Sequence, residues 1–151
     1  MSSDRGERPR MELRFNHMEI TVPLGSLTPE FRDRVEAFYG EVFNFTFRNG
    51  ELFGHDSLTM EAANGHFILL IEGDVAMSAP GFDHLGFELP SRVDVDETLA
   101  KVRRFGQSDD RVQVKEYTDG VMYERLFHAY YVKYLLPIWF DVQYSEPVAA
   151  A

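Results

Sequence analysis

The sequence predicts an α+β fold of two βαβββ modules, and three observations carry that prediction. A strand occurs twice, a capped amphipathic helix follows each copy, and Asn-Gly turns punctuate the strands beyond the first helix. Phe15-Asn16-His17-Met18-Glu19-Ile20-Thr21-Val22-Pro23 aligns with Phe82-Asp83-His84-Leu85-Gly86-Phe87-Glu88-Leu89-Pro90 at an offset of 82 − 15, or 67 residues. Both copies alternate with period two, the pattern of a strand with one buried face. Met18, Ile20 and Val22, like Leu85, Phe87 and Leu89, belong to the apolar face. His17, Glu19 and Thr21, like His84, Gly86 and Glu88, belong to the other.

The helices are marked at their ends. In the first, Thr28 is placed to cap and Pro29 takes the first helical position, where its missing N–H costs nothing. Phe31, Val35, Phe38, Val42 and Phe43 then recur at helical spacing. In the second, Asp94 with Glu97 three residues on reads as a capping box, Val95, Leu99 and Val102 make the stripe, and Gly106 ends it. After the first helix, strand-like runs occupy Phe45 to Arg48, Glu51 to Phe53, Leu58 to Ala62 and His66 to Glu72, with hairpin turns at Asn49-Gly50 and Asn64-Gly65. The second half runs Val112 to Tyr117, a Thr118-Asp119-Gly120 turn, Val121 to Tyr134 and Ile138 to Tyr144. The expected organisation is a flexible tail over 1–11, a first module over 12–75, a linker over 76–81, a second module over 82–145 and a tail over 146–151, with the two modules forming one domain.

Composition narrows the function. The 151 residues are 44% hydrophobic and 14% aromatic, enough for a sizeable core. The absence of cysteine removes disulfides, thiolate zinc sites, iron–sulfur clusters and a cysteine nucleophile, so any metal must be held by His, Asp or Glu. Lys and Arg number 15 against 25 Asp and Glu, and a net charge of −10 argues against a nucleic-acid partner, whose phosphates must be neutralised by basic side chains. The longest apolar runs, Phe67 to Ile71 and Leu135 to Phe140, fall far short of a membrane span, and MSSDRGERPR has no apolar signal core. A cytoplasmic protein with no membrane partner is expected. No GxGxxG, GxxxxGK or GxSxG motif occurs.

The duplicated βαβββ layout with a His early in each first strand resembles the vicinal oxygen chelate superfamily: glyoxalase I, bleomycin-resistance proteins, extradiol dioxygenases and fosfomycin-modifying enzymes. The resemblance covers Glu12 to Tyr144 and rests on the two Phe-x-His strand starts, on Phe38-Tyr39-x-x-Val42-Phe43 and on a final strand ending in a carboxylate. It implies an incomplete barrel around a cavity, often completed in a homodimer. It also implies metal ligands on the first and last strands of each module: His17, His84 and Asp141, with Glu72 ahead of Asp74 as the first-module carboxylate. Asp141 stands where Glu is usual, and Leu135-Leu136-Pro137 replaces the usual Asp-Pro-Asp-Gly turn. Two imidazoles and one or two carboxylates suit a divalent ion binding two substrate oxygens, with Fe2+ favoured and Ni2+, Zn2+ or Mn2+ as alternatives.

The other candidates follow from alternation. His128, grouped with Tyr130 and Tyr134, is expected to line the cavity as an acid/base or orienting group, with Tyr130 beside it. Glu19 and Glu88 are candidate bases, whereas His55 and His66 are expected to be exposed. The many rings between Tyr117 and Tyr144 suit an apolar or aromatic ligand. Arg125 and Lys133, read as opposite His128, leave that cavity without a cationic clamp, so a neutral small molecule is expected. The function expected is a metal-dependent isomerase, lyase, epimerase or ring-cleaving dioxygenase; the alternative is a metal-free protein that sequesters a small molecule, as bleomycin-resistance proteins do.

Overall fold

A computed structural model describes residues 10–149. The first module comprises β1 (His17–Pro23), α1 (Pro29–Phe43), β2 (Thr46–Leu52), β3 (His55–Glu61) and β4 (Phe67–Gly73). The second comprises β5 (His84–Glu88), α2 (Arg92–Gly106), β6 (Gln113–Glu116), β7 (Gly120–Met122), β8 (Arg125–Lys133) and β9 (Trp139–Pro147). Two sheets result, in the orders β1-β4-β3-β2 and β5-β9-β8-β6, with β7 also paired to β8. In each, the module's first and last strands lie side by side in parallel, β1 with β4 and β5 with β9.

Local chemistry explains the element ends. The Thr28 hydroxyl accepts the Phe31 N–H at 3.1 Å, Pro29 opens α1, and Asn44 closes it in the left-handed conformation at φ 58°. α2 begins earlier than the sequence suggests. Ser91, not Asp94, is its cap: the Ser91 Oγ accepts the Asp94 N–H at 3.1 Å and donates to the Asp94 carboxylate at 2.8 Å.

Two turns also differ from expectation. β2 runs straight through Asn49-Gly50, which pair with Leu58 and Ser57, and the chain reverses at Phe53-Gly54 instead, with φ 52° and 78°. The later turn gives a seven-pair ladder and supplies the two positive φ values that a two-residue hairpin turn needs. The run from Val121 to Tyr134 is likewise split, by a turn at Tyr123-Glu124 with φ 50° and 60°. Asn64-Gly65 does form the β3–β4 turn, with Gly65 at φ 85° donating to the Ala62 carbonyl at 2.9 Å. At the ends, the expected N-terminal tail lies outside the described residues over 1–9, and β9 extends through Pro147, leaving 150–151 outside.

The apolar faces of both sheets and the two helices enclose one continuous core that mixes residues of both modules. Phe140 of β9, 1% exposed, sits at its centre, with ring centroids 4.7 Å from Phe87, 5.3 Å from Tyr39 and 6.1 Å from Phe43. The Tyr39 hydroxyl donates to the Tyr134 carbonyl at 2.6 Å, tying α1 to the end of β8. The Asp109 carboxylate accepts from Arg111, the Tyr134 hydroxyl and Arg34, and this places its pKa far below the ordinary carboxylate range, with the Arg111 bond the largest cause. On the opposite sheet faces, His17 and Glu19 of β1 and His84, Gly86 and Glu88 of β5 are exposed, whereas Leu69 and Ile71 of β4 and Trp139 and Asp141 of β9 on the same faces are buried.

Because Phe140 touches rings from both modules, truncating it opens a shared cavity. Phe140→Ala is expected to lower stability by about 3–5 kcal/mol, read from the urea midpoint of unfolding.

Candidate metal centre

Parallel register brings the second-module ligand candidates together. His84 lies opposite Trp139 and Asp141 opposite Gly86, so both side chains emerge on the outward face of neighbouring strands. His84 Nδ1 lies 2.9 Å from the Phe82 carbonyl, which fixes the proton on Nδ1 and leaves Nε2 as the free electron pair. Imidazoles that ligate metals are oriented in this way by a backbone carbonyl.

Nε2 stands 3.7 Å from Asp141 Oδ2, longer than a hydrogen bond. Asp141 is only 9% exposed, and its Oδ1 has no hydrogen-bond partner among the described residues. Burial pushes its pKa up, partly offset by His84. A buried carboxylate oxygen with no donor is costly, and an imidazole nitrogen facing the same space completes a donor pair suited to a divalent cation.

Aromatic rings surround the pair. Tyr131 of β8 lies 4.6 Å from the His84 ring, Tyr117 lies 4.8 Å from Tyr131, and Phe82 lies 5.3 Å from Trp139. A hollow of about 240 Å³ opens beside Asp141, walled by Tyr117, Phe127, Tyr131 and Gln143. The sequence marks Phe82 as part of the second Phe-x-His strand start and Tyr117 and Tyr131 as members of the ring-rich C-terminal half, but not their convergence on His84, because they come from separate elements.

Three solved structures resemble the chain over nearly its whole length. A fosfomycin resistance protein, FosX, from Listeria monocytogenes, complexed with Mn(II) and sulfate, is 18% identical at a TM-score of 0.62, covering 89% of this chain and 91% of its own. A glyoxalase family protein from Bacillus anthracis is 14% identical at 0.63, covering 92% and 100%. A glyoxylase/bleomycin resistance protein/dioxygenase domain from Frankia sp. EAN1pec is 16% identical at 0.61, covering 93% and 96%. No protein-family model and no curated protein matches the sequence. The chain has the vicinal oxygen chelate fold.

Within the vicinal oxygen chelate fold the remaining candidates fall in different places. His17, on β1, stacks on Phe67 at 4.7 Å and bonds the Asn16 side chain at 2.7 Å. It shares with His84 a crevice of about 550 Å³ between the two first strands. No three His, Asp or Glu side chains converge within the described chain, so His17 does not join the His84–Asp141 pair.

Glu72, expected as the first-module ligand, accepts the Leu27 backbone N–H at 2.9 Å. Opposite Val22 in the ladder, it lies on the apolar-face parity of β4, and the backbone N–H groups of Gly25 and Leu27 hold its carboxyl below the usual range. The true first-module counterpart of Asp141 is Leu69: Phe67 partners His17 as Trp139 partners His84, an offset of 139 − 67, or 72. Asp74 lies beyond β4.

His128 and Tyr130, expected to line the cavity, lie on the face of β8 opposite Tyr131. Their face of β8 packs against α2, where the Tyr130 hydroxyl donates to Thr98 Oγ1 at 2.9 Å. The outward face carries Phe127, Ala129 and Tyr131, and by the same parity Arg125 and Lys133, so the expectation of a cavity face without cations fails. Glu19 and Glu88 are exposed on the outward faces of their strands, Glu88 on the face of His84 and Glu19 on that of His17.

The His128 ring lies 2.7 Å from Asp119 through Nδ1 and 2.7 Å from Asp96 through Nε2, donating to both when protonated, while Arg92 binds Asp119 and stands 3.0 Å from the same Nδ1. Burial alone pulls the His128 pKa down, but the two carboxylates outweigh it and the net direction is up. A raised folded pKa means that the bridge stabilises fully below the unfolded value near 6.5 and is lost as pH rises through the folded one. His128→Gln is expected to cost about 1 kcal/mol at pH 5.5 and little at pH 9, measured by denaturant unfolding at both.

Proposed function

We propose that the protein is a metal-dependent enzyme acting on a small, ring-bearing molecule with adjacent oxygens, in which His84 and Asp141 hold a divalent ion. The observation that carries this is the buried, unpartnered Asp141 oxygen beside an imidazole whose other nitrogen is already tied down. Mn(II) bound to the fosfomycin resistance protein of the same fold supports a divalent ion, with Fe2+ the sequence-based preference. When bound, the ion supplies Lewis-acid stabilisation of negative charge on the substrate oxygens.

The third ligand is His17 from a second copy of the chain. The fold turns the two ligand faces outward and leaves the His84–Asp141 pair one donor short, so pairing of copies is the arrangement that completes it. Of the candidate bases, Glu19 lies two residues, roughly 7 Å, along β1 from His17, and a carboxylate there reaches a substrate bound at the ion. Glu88 lies four residues from His84, roughly 13 Å along β5, and is too far for direct proton transfer. Tyr131, with its ring against His84, orients the substrate by stacking and through its hydroxyl.

Metal analysis of the purified protein is expected to give about one ion per chain in the wild type and almost none in His84→Ala or His17→Ala. Co-refolding those two variants is expected to restore about a quarter of the sites, because each mixed pair rebuilds one of its two. Wild-type protein that stays metal-free when supplied with Fe2+, Mn2+, Ni2+ and Zn2+ overturns the proposal and favours a sequestering protein. No restoration overturns the shared site.

A further inference from the structure

We infer that Lys115 is a specificity-determining residue of this centre and that the substrate is an aromatic acid, its carboxylate meeting the Lys115 ammonium while its adjacent oxygens meet the ion. The inference rests on the metal-site reading above for the position of the oxygens, but not for the recognition of the acid.

Register places Lys115 in line with the centre. Lys115 pairs with Tyr131, Tyr131 with Asp141, and Asp141 with Gly86, a single row across β6, β8, β9 and β5. Directly paired residues point to the same side of a sheet, so Lys115 shares the outward face with His84 and Asp141. Two strand spacings separate Lys115 from Asp141, roughly 10 Å between backbones. That span suits a benzene ring with its oxygens at one end and a carboxylate at the other.

The lysine is held rather than free. Its Nζ sits 3.8 Å from the centroid of Phe82 and 5.1 Å from that of Tyr117. Those rings connect it to the centre, Phe82 through Trp139 and Tyr117 through Tyr131 to His84. An ammonium over ring faces is partly desolvated yet keeps N–H donors available, which strengthens its attraction for an anion.

Lys115 is also unspent. Arg34, Arg92, Arg103 and Arg111 are all bound to carboxylates, whereas no carboxylate among the described residues lies within 4.0 Å of Lys115. Arg125, on the same face, is occupied by the hydroxyl and carbonyl of Ser145 at 2.9 and 2.8 Å. Lys133 shares the outward parity and has no carboxylate within 4.0 Å either, but among the described residues only Lys115 of the two is seated over aromatic rings, a point charge without the planar fork of arginine, matched to a compact single carboxylate.

The test compares two probes with the same ring and adjacent hydroxyls, 3,4-dihydroxybenzoate and catechol, which differ in the carboxylate. Affinities are measured by calorimetry, with emission of Trp139, the one tryptophan, as a second readout. Both are measured with Mn(II) supplied and after EDTA treatment.

Wild-type protein is expected to bind the acid about tenfold more tightly than catechol. Lys115→Gln erases that ratio with catechol affinity unchanged, Lys115→Arg retains most of it, and Lys101→Gln, which removes a remote charge, leaves it intact. Equal affinities in the wild type, a ratio that survives Lys115→Gln, or no binding of either probe overturns the inference. Catechol binding indifferent to Mn(II), with the ratio still dependent on Lys115, overturns the metal reading alone.

Discussion

Each module closes by laying its last strand parallel beside its first, and that pairing determines what each sheet face can do. Residues opposite one another in the ladder emerge on the same side, so the partnerships of Ile20 with Leu70 and Phe87 with Val142 build the core. Those of His84 with Trp139 and Gly86 with Asp141 build the outward centre. A one-residue slip of β5 would bury the His84 imidazole in the core, and one of β9 would expose Phe140. Gly86 contributes by omission. A Cβ there would meet nothing within 4 Å, so the space beside Asp141 stays open, whereas β1 has Glu19 at the equivalent position.

The repeat was legible only within an element. The first strands match at an offset of 67, but α1 and α2 begin 92 − 29, or 63, residues apart, and the last strands are offset by 72. The second module has a shorter strand-to-helix loop and a longer hairpin region. Carrying the first offset to the last strand nominated Asp74, and the pull of an acidic strand end nominated Glu72. The ladder gives the position to Leu69, which leaves the first module with a histidine and no carboxylate. That asymmetry leaves one such histidine–carboxylate pair per chain, not two.

Strand parity in β8 was misread for a physical reason. Tyrosine hydroxyls suggest a wet face, yet Tyr130 and Tyr134 satisfy theirs on Thr98 and Asp109 and behave as core residues. Val132, on the same parity and 2% exposed, was the signal that this face is the buried one. With the phase reversed, Tyr131 comes to lie beside His84 and His128 becomes a bridge between α2 and the turn at Asp119. The turns were obscured differently. Phe53-Gly54 and Tyr123-Glu124 take up positive φ with aromatic residues in first place, which propensity disfavours; the first turn is compensated by a seven-pair ladder, whereas the second closes a ladder of three pairs.

Net charge acts on the two ligands of the proposed centre in opposite senses. At −10 the chain attracts a divalent cation and repels an organic acid, but both effects fade beyond the Debye length of about 8 Å at physiological ionic strength. Recognition of an anion therefore has to be local, and an ammonium seated over Phe82 meets that requirement because it is partly desolvated and screened less than a fully hydrated one. For the proposed cation the local feature is the buried Asp141 carboxylate, with Oδ2 3.7 Å from the His84 imidazole. Arg34, Arg92, Arg103 and Arg111 are paired with carboxylates of their own, so these four cations compete less than Lys115 does for the proposed acid.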